Sequence, residues 1–102
     1  MSSNPRDAEE SISIDSAGNS VSVVMSGATI LSIHIRGDAA ATYQVDVRIN
    51  GGTWIQNVRS EFSGSADYDD VWETGAQEVR VRCSTGTAGS GDSATITLMA
   101  GG

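Results

Sequence analysis

The sequence predicts an all-β fold, a single antiparallel β-sandwich of about eight strands. Three observations carry this. Every apolar segment alternates with period two, and no stretch keeps a 3.6-residue period over ten residues. Val, Ile and Thr together supply 25 of the 102 residues, against 2 Leu and 1 Pro. These β-branched side chains are stiff at χ1 and fit a pleated sheet better than a helix. Turn-forming residues, rich in Gly, Ser and Asn, recur between the alternating runs, which is the spacing of a jelly-roll or immunoglobulin-like sandwich.

The elements follow in order. Residues 1–10 are polar and charged without periodicity and read as a flexible acidic N-terminal arm, leaving residues 11–102 as the sandwich domain. Ile12 and Ile14 alternate with serines before the turn at Ala17, Gly18 and Asn19. Val21 and Val23 form the next run, broken by Ser26 and Gly27. Over residues 28–36, Leu31, Ile33 and Ile35 share one face, and Ser32, His34 and Arg36 the other. Residues 42–50 show the clearest pattern, with Tyr43, Val45, Val47 and Ile49 inward and Gln44, Asp46 and Arg48 outward. Asn50, Gly51 and Gly52 accept positive φ cheaply and predict a tight hairpin, with residues 53–58 as the return strand. Residues 60–70 read as a polar loop with a short strand around Phe62. Residues 77–84 put Val79, Val81 and Cys83 inward and Glu78, Arg80 and Arg82 outward. Residues 93–99 close the domain on Ala94, Ile96 and Leu98. The expected core is therefore Tyr43, Val45, Val47, Val79, Val81, Ile96 and Leu98. On this register Val81→Asp unfolds the chain, whereas Arg82→Asp, on the opposite face, leaves it folded.

Charge narrows the partners. Thirteen acids face six bases, all Arg, giving a net charge of −7. Nucleic acid is disfavoured, because its binding rests on Lys and Arg neutralising phosphates, and so is an anionic membrane surface. No apolar run approaches the ~20 residues of a transmembrane helix. The opening residues lack the basic and apolar regions of a secretory signal. A lone cysteine, Cys83, rules out an internal disulfide framework and a multi-cysteine zinc site. The acid excess without a single Lys resembles proteins of extreme halophiles, in which salt screens self-repulsion.

Catalytic material is sparse. His34, the only histidine, lies mid-strand beside Arg36 and reads as a surface or interface residue rather than a general base. No nucleophile elbow and no phosphate-cradling glycine loop is present. Cys83 alternates with core valines and reads as an inert buried thiol. Asp67, Asp69, Asp70 and Glu73 form a weak candidate metal site, since hard cations want several carboxylates together, but the EF-hand spacing is broken. No cofactor is implied. Arg36, Arg48, Arg80 and Arg82 lie on polar strand faces, either as a stripe for a partner's carboxylates or paired across strands with Asp46 and Glu78. Trp54, Trp72 and Phe62 read as core or interface anchors, with stacking of the two tryptophans on sugar rings as the alternative.

Several segments together resemble a known group of proteins. They are the aliphatic strand at 28–35, the strand and glycine turn leading to Trp54 at 43–54, the V-R-V-R strand at 79–82, and the T-I-T-L strand within 93–99. This pattern is similar to small β-sandwich virion proteins encoded in the head and tail gene clusters of tailed viruses. The likeness loosely covers residues 20–100, and the acidic arm departs from it. It implies a non-enzymatic structural role in the virion, after assembly in the host cytoplasm. The chain would be a homo-oligomer, a trimer by preference, decorating or stabilising the capsid through the major capsid protein or another virion protein. With the halophile-like surface, the host would be a halophilic archaeon. The interface would include Arg36, Arg48, Trp54, Phe62, Trp72, Arg80 and Arg82. A carbohydrate-binding or adhesion module is the alternative.

Overall fold

A computed structural model of the chain describes residues 6–37, 39–59, 61–64 and 67–101. Among them eight strands form: β1 (Arg6–Ser13), β2 (Ser20–Val24), β3 (Ile30–Gly37), β4 (Ala41–Arg48), β5 (Phe62–Gly64), β6 (Asp67–Glu73), β7 (Glu78–Thr85) and β8 (Ser93–Gly101). The pairs nest: β1 with β8, β2 with β7, β3 with β6 and β4 with β5, all antiparallel. The chain is thus one long ribbon folded at the β4–β5 tip. Rolling the ribbon adds the β3–β8 and β4–β7 pairs. The result is two four-stranded sheets, β1-β8-β3-β6 (sheet I) and β2-β7-β4-β5 (sheet II). This strand order is that of a jelly roll, one of the two sandwich types the sequence predicts. Among the described residues no helix is long and apolar enough to cross a membrane.

Alternation fixes which side chains enter the space between the sheets. Leu31, Ile33, Ile35, Tyr43, Val45, Val79, Val81, Cys83, Ile96 and Leu98 are all essentially inaccessible, so every expected core residue lies in the core. Ile14 and Met25 plug the ends. One end is locked by the β1–β2 turn against the β7–β8 loop. The carboxylate of Asp15 accepts from the backbone N–H groups of Gly91 (3.0 Å) and Asp92 (2.8 Å). A Cβ on Gly86 would meet the Asp15 carbonyl oxygen and the Ser16 Cα, both at 2.5 Å, so the loop can pass there only as glycine.

Four boundaries differ from the pattern. β1 starts at Arg6, so residues 6–10 of the expected arm are strand, paired in register from Arg6–Ala100 to Ser13–Ser93. Residues 1–5 lie outside the described part. The hairpin turn forms, with positive φ at Asn50 and Gly51 and Gly52 N–H donating to the Ile49 carbonyl at 3.1 Å. The return stretch, however, is not a strand. It makes one bridge, Val47–Ile55, and a further bond from Val58 N–H to the Val45 carbonyl, with Asn57 at positive φ between them. Ile49, expected inward, is past the end of β4 and 57% exposed. Finally, the acidic run expected as loop is β6, paired with β3 over seven residues.

Candidate functional site

The two outer faces of the sandwich carry the polar side chains, and they are built differently. On sheet II, Asp46 of β4 stands opposite Arg80 of β7, with Arg82 one pair further along. Asp46 is fully buried. Its Oδ2 accepts from Arg80 Nε (2.7 Å) and Arg82 Nε (2.9 Å), and its Oδ1 accepts from the backbone N–H of Asn57 (3.0 Å). Arg82 also donates through Nη2 to the Asn57 side-chain oxygen at 2.7 Å. Burial pushes the Asp46 carboxyl up, but the hydrogen bonds from Arg82, Arg80 and Asn57 outweigh it and hold the group below its usual range. Beside this cluster Arg48 Nε donates to Glu78 Oε1 at 2.7 Å. The guanidinium groups of Arg48 and Arg80 lie over the Trp54 ring, 4.6 and 4.4 Å from its centre. Residues 53–59 therefore act as a strap on sheet II: Trp54 lies against Arg48 and Arg80, and Asn57 completes the coordination of the buried carboxylate.

The arginines Arg48, Arg80 and Arg82 are thus engaged by the chain's own acids, the intrachain pairing that the alternation leaves open. Arg82 is consequently no free surface group. The expectation that Arg82→Asp is harmless is corrected, because it would set a second carboxylate against the buried Asp46.

The outer face of sheet I is open. Glu9, Thr97, His34 and Asp69 fall in one row across β1, β8, β3 and β6. Thr97 donates to Glu9 at 2.9 Å, and His34 Nδ1 bonds Asp69. Arg36 Nη2 is 3.1 Å from His34 Nε2. A guanidinium can only donate, so Nε2 accepts and the ring proton sits on Nδ1, facing Asp69. Both imidazole nitrogens are hydrogen-bonded within the chain. Glu9, His34, Arg36 and Thr97, with Thr95 and Met99, line a shallow depression of about 400 Å³. Next to it Ile30 (36% exposed), Val71 (67%) and Met99 (45%) form an apolar patch around Ser32.

The edge between the sheets is closed by β6. Its inward residues are Tyr68, Asp70 and Trp72, and Arg59 reaches in from the strap. Arg59 donates to Asp70 at 2.5 Å and lies over the Trp72 ring at 5.1 Å, while the Tyr68 hydroxyl donates to Asp70 at 3.3 Å. Burial, and then the Asp70 charge, push the Tyr68 hydroxyl up.

This placement corrects the acidic cluster. Strand alternation sends Asp69 and Glu73 outward and Asp70 inward, so the carboxylates do not converge. Asp67 pairs in register with Arg36, and its side chain is outside the described residues. Among the described residues no three His, Cys, Asp or Glu side chains gather to hold a metal. Phe62 stands opposite Tyr43 in register, and its side chain too lies outside the described residues. Trp72 packs on the core and Trp54 under two arginines. Burial pushes the Cys83 thiol up, which keeps it protonated and unreactive. Sequence reasoning missed Asn57 altogether; its only signal is a polar residue near the end of an apolar return run.

No family model matches the chain, and no curated protein matches it in sequence. Among solved structures it is similar to the crystal structure of SPBc2 prophage-derived protein YomS. The match covers 98% of this chain and 97% of that one, with a TM-score of 0.66 and 12% identity. At that identity the likeness shows a shared fold.

Proposed function

We propose that this chain is a non-catalytic structural protein of a tailed virus, an oligomer that decorates or stabilises the capsid. The observation that carries the reading is the end-to-end match to a prophage-derived chain, since a prophage is a resident virus genome. Two further features support it. The polar groups are used to tie strands together, and His34 has both ring nitrogens engaged. The surface excess of Asp and Glu without Lys suits a virus of halophilic archaea, whose particles meet molar salt. The carbohydrate-binding reading is weakened by the tryptophans, because arginines already lie over the Trp54 and Trp72 rings.

The test is light scattering in molar salt, then sedimentation with purified particles of the encoding virus. A closed oligomer, a trimer by preference, that pellets with particles is the expected result. A monomer that stays in the supernatant and binds a glycan array would hand the function to a carbohydrate-binding module.

A further inference from the structure

We infer that the outer face of sheet I is the docking surface, and that its occupant is a protein surface with an apolar centre and a rim of Arg or Lys. The inference builds on the structural role proposed above and names the surface and the chemistry of its partner.

The centre of the patch is Ile30, Val71 and Met99, brought together from β3, β6 and β8 by the register that sets Ser32 beside both Val71 and Met99. Val71 is 67% exposed, the most exposed large apolar residue described. An edge strand that points a valine into water while burying Tyr68 and Trp72 on its other side presents that valine to something. Around the centre stand Asp7, Glu9, Asp69 and Glu73, all exposed. Among the described side chains of this face the one Arg, Arg36, stands at one end against His34, which bonds Asp69. The rim is therefore acidic on both flanks.

Charge selects the occupant. A second copy offering the same face would set acid rim against acid rim, which disfavours a two-fold pairing. A second copy offering sheet II would bring Arg48, Arg80 and Arg82, but those guanidinium groups are held by Glu78, Asp46 and Asn57 inside their own chain. Nucleic acid and anionic membrane are repelled by the same acids. A basic-rimmed apolar surface on another protein meets both features, with close carboxylate–guanidinium pairs that persist where salt has removed long-range attraction.

The experiment is an amide-shift NMR titration of the full chain with a short peptide alternating Arg and Leu. A peptide alternating Glu and Leu serves as control, and particle sedimentation runs in parallel. Shifts should gather at Ile30, Ser32, Val71, Glu73 and Met99 with the basic peptide only. Val71→Arg, which leaves the core untouched and sets a like charge against the basic peptide, should weaken binding roughly tenfold or more, while Val24→Arg on sheet II should not change it. Shifts gathering on β2 and β7, no shifts at all, equal binding of both peptides, or self-association through sheet I would each overturn the docking surface. If the peptide binds as expected but the chain never pellets with particles, the surface stands and the virion role falls. If particles bind wild type and Val71→Arg alike, the virion role stands and this surface falls.

Discussion

The two outer faces of this jelly roll solve the same problem in opposite ways. Each must display polar side chains on a sheet whose other side is core. Sheet II folds its own strap over the arginines, so that a buried carboxylate, three guanidinium groups and an indole form one closed cluster. Sheet I leaves acids and three apolar side chains in water. The lesson is that charge content alone does not mark a binding face. The arginine-rich face is matched internally and serves the fold, whereas the outer face of sheet I, with its exposed acids, is the face proposed above for a partner.

The largest way to sharpen that contrast is to place one new carboxylate on each side of a sheet. Val81→Asp puts an unpaired charge in the core and should abolish folding, read as loss of the cooperative thermal transition. Val71→Asp, outward on β6, should keep the melting temperature within a few degrees.

Next comes the cluster on sheet II. Asp46→Ala leaves Arg80 and Arg82 facing each other without their acceptor and frees the Asn57 N–H. It should cost about 3–5 kcal/mol in denaturant unfolding. Arg82→Asp should be destabilising as well, and if it unfolds no more easily than wild type, the cluster does not hold the strap.

The same group sets an acid limit. The folded Asp46 carboxyl lies below its unfolded value, so the folded state binds this proton less readily. Its contribution is full above about pH 4 and is lost as pH falls through the folded value. Thermal stability should therefore drop on acidification below about pH 4, and Asp46→Asn should flatten that part of the profile.

How far the sequence foretells all this depends on where each strand sits. β3, β4, β7 and the central part of β8 have neighbours on both sides, so alternation marks their inward faces strongly, and Tyr43, Val81 and Leu98 are placed correctly. β1 and β6 are edges. In β1 the stretch from Asp7 to Glu10 buries little beyond Ala8 and shows no apolar period. In β6 the inward pair Tyr68 and Trp72 is interrupted by Asp70, whose carboxylate is held there by Arg59 and the Tyr68 hydroxyl. Nothing local announces an arginine arriving from eleven residues upstream. Asp46 is the sharper case. Alternation places it on the polar face, which is right, yet it is buried because the strap comes back over it. A hairpin that returns across a face rather than as a regular strand has no period to read.

The smallest expected effect is electrostatic relief on sheet I. Glu73→Gln removes one unmatched acid and should raise stability by a few tenths of a kcal/mol near 0.1 M salt, with the gain vanishing at ~2 M where the Debye length is only ~2–3 Å. Wild type itself should melt higher in ~2 M than in ~0.1 M potassium chloride, and a flat or falling trend would remove the halophile argument.

The contrast between the faces is tested most directly by carbodiimide labelling of carboxylates, read by peptide mass spectrometry on the free chain and on the chain bound to particles. Asp7, Glu9, Asp69 and Glu73 should label readily when free and be protected when bound, while Asp46 should stay unlabelled in both states. Ready labelling of Asp46 in the free chain, or sheet I acids equally reactive with and without particles, would contradict it.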